Sequence, residues 1–236
     1  PGGEDVDYFC ADWEDPNSSY AQEYDDEILS WANMKDLTDI EVYNCKNIKT
    51  LPKFLYELPE IQLLNIACNT GIKGDQLKED WTALAKSTVT GPKIQILYMG
   101  YNNLEEFPGY NDPSNENVLK NMKKLGLLDL TDNKVKHLMP FGTDIKLATL
   151  YLQNNQIEEV PAEFCGFTND VETFNFSNNK ITYIPNIFDA SSLYIMGSID
   201  FSNNQIGTYE SDSDHDGIRD EDEAAFKGIN ANELSL

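Results

Sequence analysis

The stretch Leu147–Pro161, LATLYLQNNQIEEVP, constrains the fold of this 236-residue chain more than any other. It reads L-x-x-L-x-L-x-x-N-x-I-x-x-V-P, with Leu147, Leu150, Leu152, Ile157 and Val160 set around Asn155. The chain repeats it. VETFNFSNNKITYIP is anchored on Asn179, MGSIDFSNNQIGTY on Asn204, LGLLDLTDNKVKHLMP on Asn133 and IQILYMGYNNLEEFP on Asn102. IQLLNIACNTGI is anchored on Asn69, and in LTDIEVYNCKNIKTLP the place is taken by Cys45. The seven anchors lie 24, 33, 31, 22, 24 and 25 residues apart. Within each L-x-L core, alternation puts both apolar side chains on one side of a short strand. No single repeat can bury that side alone, but stacked copies bury it as one continuous core.

A period in the twenties with this consensus is a solenoid signature, and residues 34–209 resemble the leucine-rich repeat family. The resemblance implies an α/β solenoid, with a curved parallel sheet of short strands on the concave side and helices and irregular turns on the convex side. It also implies that each anchor Asn turns inward to hydrogen-bond backbone groups of the turn, satisfying polar atoms that burial would orphan. Cysteine is a tolerated replacement there, being small and accepting of burial.

Two anchor spacings exceed the basic period. Residues 73–93 place Leu77, Trp81, Leu84 and Ala85 at helical spacing, which predicts an amphipathic helix on the convex side ended by Gly91-Pro92. Residues 109–125 predict a polar loop, then a helix from about Asn115 with Val118, Leu119 and Met122 facing the core. Residues 1–33 are aromatic and acidic and are expected to cap the first repeat. The alternative for the Trp13 and tyrosine cluster is a carbohydrate platform. Glu233–Leu236 look like the strand of an eighth repeat, so 229–236 are expected to begin one and further repeats to follow.

The net charge is −24, from 17 basic and 41 acidic residues. Residues 1–33 hold ten of the acids and 208–223 hold eight with one Arg, which leaves −7 for the rest. Nucleic acid is therefore disfavoured as a partner, because phosphate binding needs a basic stripe. No run approaches the ~20 apolar residues of a membrane span. The four cysteines do not form a disulfide framework in a chain this long: buried free thiols are the expectation for Cys45, Cys68 and Cys165, and a pair between Cys10 and another cysteine is the alternative, which sequence alone does not assign.

Residues 210–228 form an insertion whose core is Asp212-Ser-Asp214-His-Asp216-Gly217-Ile218-Arg-Asp220-Glu-Asp222-Glu223. This fits D-x-D-x-D-G-x5-E, the spacing of a calcium loop. Calcium takes six to eight oxygens, so carboxylates at Asp212, Asp214 and Asp216 converge if the chain turns at Gly217. Ile218 would offer its carbonyl, Asp220 a direct or water-mediated oxygen, and Glu223 two oxygens. Arg219, where EF-hands carry an apolar residue, and the lack of a preceding helix make the loop more similar to those of dockerins and thrombospondin type 3 repeats. In those extracellular modules calcium is a structural staple. The competing reading is a solvated acidic hairpin, in which seven carboxylates within twelve residues repel each other.

The strand residues between core positions are expected on the concave face. One column reads Glu41, Asn65, Tyr98, Asp129, Tyr151, Asn175, Asp200, and a flanking one Tyr43, Ala67, Gly100, Thr131, Gln153, Ser177, Ser202. None is basic. Tyr43, Tyr98, Tyr101, Asp129, Tyr151, Gln153, Asn175 and Asp200 are the candidate ligand-binding residues, since tyrosine offers large area at low entropic cost. The two histidines, His137 and His215, have no Ser or Cys constellation around them, and the pairs Glu105-Glu106 and Glu158-Glu159 are expected to be solvated. The sequence thus predicts a non-enzymatic module that binds a protein or glycan partner and carries a structural calcium. It resembles secreted or surface leucine-rich repeat proteins of gut bacteria, held at the cell surface or anchored by a lipid through a segment before Pro1. The alternatives are a targeting domain of a larger enzyme and a structural or adhesive spacer.

Overall fold

The computed structural model describes residues 35–45, 48–115, 118–142, 144–161, 164, 171–182, 194–206 and 230–235. The expected amino-terminal cap and the calcium-like loop lie outside them. Eight strands form one parallel sheet in chain order: β1 (Asp39–Glu41), β2 (Leu63–Asn65), β3 (Ile96–Tyr98), β4 (Leu127–Asp129), β5 (Thr149–Tyr151), β6 (Val171–Asn175), β7 (Tyr194–Asp200) and β8 (Asn230–Ser235). Each strand pairs only with its sequence neighbours, so the sheet is an open solenoid wall.

Inward residues Ile40, Leu64, Leu97, Leu128, Leu150, Phe174 and Ile199 stack in register and are buried. The second core position of each repeat, from Val42 to Phe201, is buried beside them, and one cluster runs through all seven repeats. Phe176 and Phe201 stack with centroids 4.8 Å apart and planes at 7°.

The anchors hold the turns. Asn155 Nδ2 donates to the carbonyls of Leu130 (2.9 Å) and Leu152 (3.0 Å), while its Oδ1 accepts the Val135 N–H at 3.0 Å. Asn133, Asn179 and Asn204 repeat the arrangement. Each side chain therefore stitches its own turn to the preceding one. The first two links differ: Asn69 Oδ1 accepts from Cys45 N and Asn102 Oδ1 from Asn69 N, directly at the previous anchor. The cause is in the sequence. After Cys45 and Asn69 the next core residue is three positions on (Ile48, Ile72), whereas after Asn102, Asn133 and Asn155 it is two (Leu104, Val135, Ile157). The extra residue moves the donating N–H.

Among the described residues the convex side carries one long helix, α1 (Gly74–Lys86), with Leu77, Trp81, Leu84 and Ala85 buried as the helical spacing requires. Trp81 joins an aromatic spine with Phe107, Phe141 and Phe164, with centroid separations between 5.0 and 6.4 Å. Asp80 was not expected inside. It is buried, accepting from Thr50 Oγ1 (2.8 Å), Leu51 N (2.9 Å) and Gln76 Nε2 (3.0 Å), so α1 clamps the return of the first repeat. Burial raises its carboxyl pKa, partly opposed by the Leu51, Thr50 and Gln76 hydrogen bonds. Since its folded pKa exceeds the unfolded one, this group favours the fold most at low pH and loses that contribution as pH rises through the folded pKa.

The helix expected from Asn115 is instead two short 3-10 turns, Pro113–Asn115 and Val118–Asn121. Val118, Leu119 and Met122 are buried as expected. Asn115, Asn117 and Asn121 favour local side-chain-to-backbone bonding over a continuous helix, and a 3-10 turn covers more length per residue.

Where β6 meets β7 the register shifts between Val171/Thr173 and Ile195/Ser198. Gly197 sits in that irregularity, and a Cβ there would collide with the Glu172 carbonyl. Gly197→Ala is expected to destabilise the carboxy-terminal repeats by on the order of 2 kcal/mol through forced backbone displacement, readable as a lower urea midpoint.

Candidate functional site

The expected concave columns form. Glu41, Asn65, Tyr98, Asp129, Tyr151, Asn175 and Asp200 are paired in register across the sheet. The next column is held by backbone bonds such as Cys68 N to Gly100 O (2.9 Å) and Asp132 N to Gln153 O (3.1 Å). Side-chain roles divide the candidates. Asp129, Asn175 and Asp200 each accept the N–H two residues on through Oδ1, at 2.8, 2.9 and 2.8 Å. These three therefore spend part of their polarity on closing the strand end. Gln153 turns its Oε1 out of solvent, and that atom has no hydrogen-bond partner among the described residues. Tyr98 and Tyr151 are half-buried, whereas Tyr43 (49 %) and Tyr101 (55 %) are the most exposed large side chains of the face.

Tyr101 belongs to a further column, the residue just before each anchor. All seven members have positive φ: Asn44, Cys68, Tyr101, Asp132, Asn154, Asn178 and Asn203, between 52° and 62°. The turn into the anchor requires this left-handed geometry, which Asn and Asp accept and bulky side chains resist by ~1–2 kcal/mol. Five copies use Asn or Asp; Cys68 and Tyr101 depart from that chemistry. Tyr101 thus holds a strained backbone while presenting its ring to solvent, so burial does not offset the strain. Its phenol pKa is raised, first by the charge of Asp132, then by desolvation, a hydrogen bond to Asp132 and the charge of Asp129. The sequence carried the signal, as a tyrosine in a column of asparagines.

Elsewhere the chemistry is structural. His137 Nδ1 lies 3.1 Å from both oxygens of Glu106, and its ring stacks on Tyr110 at 4.2 Å and 5°. Glu106, His137 and Glu159 are bridged in parallel as a second, minor ladder. Glu106 is therefore engaged by His137, not merely solvated as its sequence suggested. A groove of about 450 Å³ on the outer face of α1 is lined by Asp75, Lys78, Glu79, Thr82, Ala83, Lys86 and Asp112, with both charge signs mixed. No cluster of three His, Cys, Asp or Glu suited to a metal occurs among the described residues. The calcium-like set Asp212, Asp214, Asp216, Ile218, Asp220 and Glu223 lies outside them. Cys68 is a free thiol, but Cys45 is disulfide-bonded, contrary to the free-thiol expectation. Its anchor role survives because its backbone N–H, not its sulfur, binds Asn69. No helix among the described residues is long and apolar enough to cross a membrane.

The Leucine Rich Repeat family model matches residues 146–167, the stretch around Asn155. Two solved structures match nearly the whole chain. A leucine-rich repeat protein of Bacteroides thetaiotaomicron VPI-5482 is 55 % identical with a TM-score of 0.74, over 95 % of this chain and 25 % of that one. One from Bacteroides eggerthii DSM 20697 is 52 % identical with a TM-score of 0.76, over 95 % and 34 %. The chain is a leucine-rich repeat solenoid similar to these two proteins. Among curated proteins, human lumican is 36 % identical over 92 residues, 38 % of this chain and 26 % of its own length. Bovine osteomodulin is 29 % identical over 145 residues, 44 % and 34 %. The chain spans about a quarter to a third of the length of these relatives.

Proposed function

We propose that this leucine-rich repeat solenoid is a non-enzymatic recognition module that binds a protein or glycan partner on its concave face, outside the cell. The observation that carries the reading is Tyr101, strained at φ 56° and more than half exposed. Strain of this kind persists where function requires the side chain. Tyr43 extends the exposed aromatic area, and Tyr98 and Tyr151 give it a half-buried floor. The disulfide at Cys45 supports an oxidising compartment. Calcium held by Asp212, Asp214, Asp216, Ile218, Asp220 and Glu223 would suit that compartment and would act as a staple for the insertion.

Arrays of glycans and of surface proteins, probed with the wild type and with Tyr98→Ala and Tyr151→Ala, test the reading. Capture of a defined partner is expected to fall by at least about tenfold in both variants, as for aromatic interface anchors, with circular dichroism unchanged. Equal capture by folded variants would move the site off this face.

A further inference from the structure

The three outward columns already described, and the one that opens each strand (Asp39, Leu63, Ile96, Leu127, Thr149, Thr173, Ser198), carry the carboxylates of Asp39, Glu41, Asp129, Asp132 and Asp200 and no Lys, Arg or His. The aromatic area is densest where two of those acids stand. Tyr98 is paired in register with Asp129, and Tyr101 N donates to Thr131 O at 2.7 Å on the same strand end. Gly100 lies between the two tyrosines. A Cβ there would sit 3.3 Å from Asp129 Oδ1 and 3.2 Å from Thr131 O, so the missing side chain keeps the Asp129 carboxylate uncovered on the tyrosine side. Asp132 shares its carboxylate with Asn154 Nδ2 at 3.1 Å and lies against the Tyr101 phenol.

Tyrosine rings attract a cation through the negative face of the π-system, and a neighbouring carboxylate adds charge-assisted hydrogen bonds. We propose that this patch seats a Lys or Arg side chain from a basic segment of a protein partner, between Tyr98 and Tyr101 and against Asp129 and Asp132. The inference rests on the concave face being the binding face and adds the partner's chemistry. A second copy of this chain is a poor occupant, because two molecules of net charge −24 repel and the described residues of this face include no cation.

Selection of a randomised, compositionally even peptide library on the immobilised full chain tests it. The variants are Tyr101→Asn and Asp132→Asn, which place the residue type used by other repeats at the left-handed position and so leave the turn intact. Enriched peptides are expected to be rich in Lys and Arg. They should bind each variant about tenfold more weakly, and weaken again as salt rises from about 50 to about 500 mM. Asp112→Asn, on the convex side, should leave binding unchanged and so separates this patch from general attraction to an acidic chain. Peptides without basic enrichment that still depend on Tyr101 would overturn the cationic partner and leave the concave-face reading standing. Basic peptides that ignore both variants, or no enrichment at all, would overturn the proposal.

Discussion

Asn155→Ala is expected to lower the stability of the solenoid by on the order of 3 kcal/mol. The substitution orphans the buried N–H of Val135 and takes one of two side-chain hydrogen bonds from each of the Leu130 and Leu152 carbonyls, which keep those from Asn133 and Asn179. Each buried unsatisfied group costs ~1–3 kcal/mol, and a whole domain is held by only ~5–15 kcal/mol. Asn155→Asp fares no better, because it keeps the acceptor but points charge at two carbonyl oxygens. Asn154→Ala, one residue earlier and exposed, loses the left-handed preference and one exposed hydrogen bond to Asp132, and should cost about 1 kcal/mol. Urea denaturation followed by circular dichroism distinguishes the two. Similar losses at both positions would mean that the ladder contributes less than its geometry suggests.

Removal of divalent cations is the second large effect. Seven carboxylates within residues 212–223 repel one another when no metal is bound. If the loop binds calcium, free ion at about 100 times Kd stabilises the folded state by ~2.7 kcal/mol. At roughly 2–4 °C per kcal/mol for a chain of this size, chelation should lower the melting temperature by roughly 5–10 °C, and added calcium should restore it. Asp216→Ala should melt at the chelated temperature with or without calcium. An unchanged melt, with no calcium retained after dialysis, would remove the metal from the account.

Much of this architecture was legible because a repeat multiplies its own signal. Seven copies of one spacing located the cores of β1 to β7, and the register follows once the copies are stacked. The period-3.6 placement of Leu77, Trp81, Leu84 and Ala85 gave α1 its inward face. The misses have physical causes. Asp80 is charged and so looks solvent-facing, yet three donors converge on it inside. Three asparagines between Asn115 and Asn121 outweighed the apolar spacing of Val118, Leu119 and Met122. The shifted links at Cys45 and Asn69 come from one additional residue before the next core position, a spacing visible in the sequence but hidden by aligning on the anchor alone. At the candidate site, columns could be read off but exposure could not. That Asp129, Asn175 and Asp200 serve their own turns, while Tyr43 and Tyr101 keep about half of their surface in solvent, depends on backbone geometry no pattern supplies.

The central claim is that Tyr101 is kept for recognition at a cost to the fold, and one denaturation experiment addresses it. Tyr101→Asn brings the residue into line with Asn154, Asn178 and Asn203, which share its left-handed geometry. The variant is expected to be more stable than the wild type by about 1 kcal/mol, from relief of strain at a position where nothing buried is lost. A variant less stable than the wild type would contradict it, because Tyr101 would then be serving the fold.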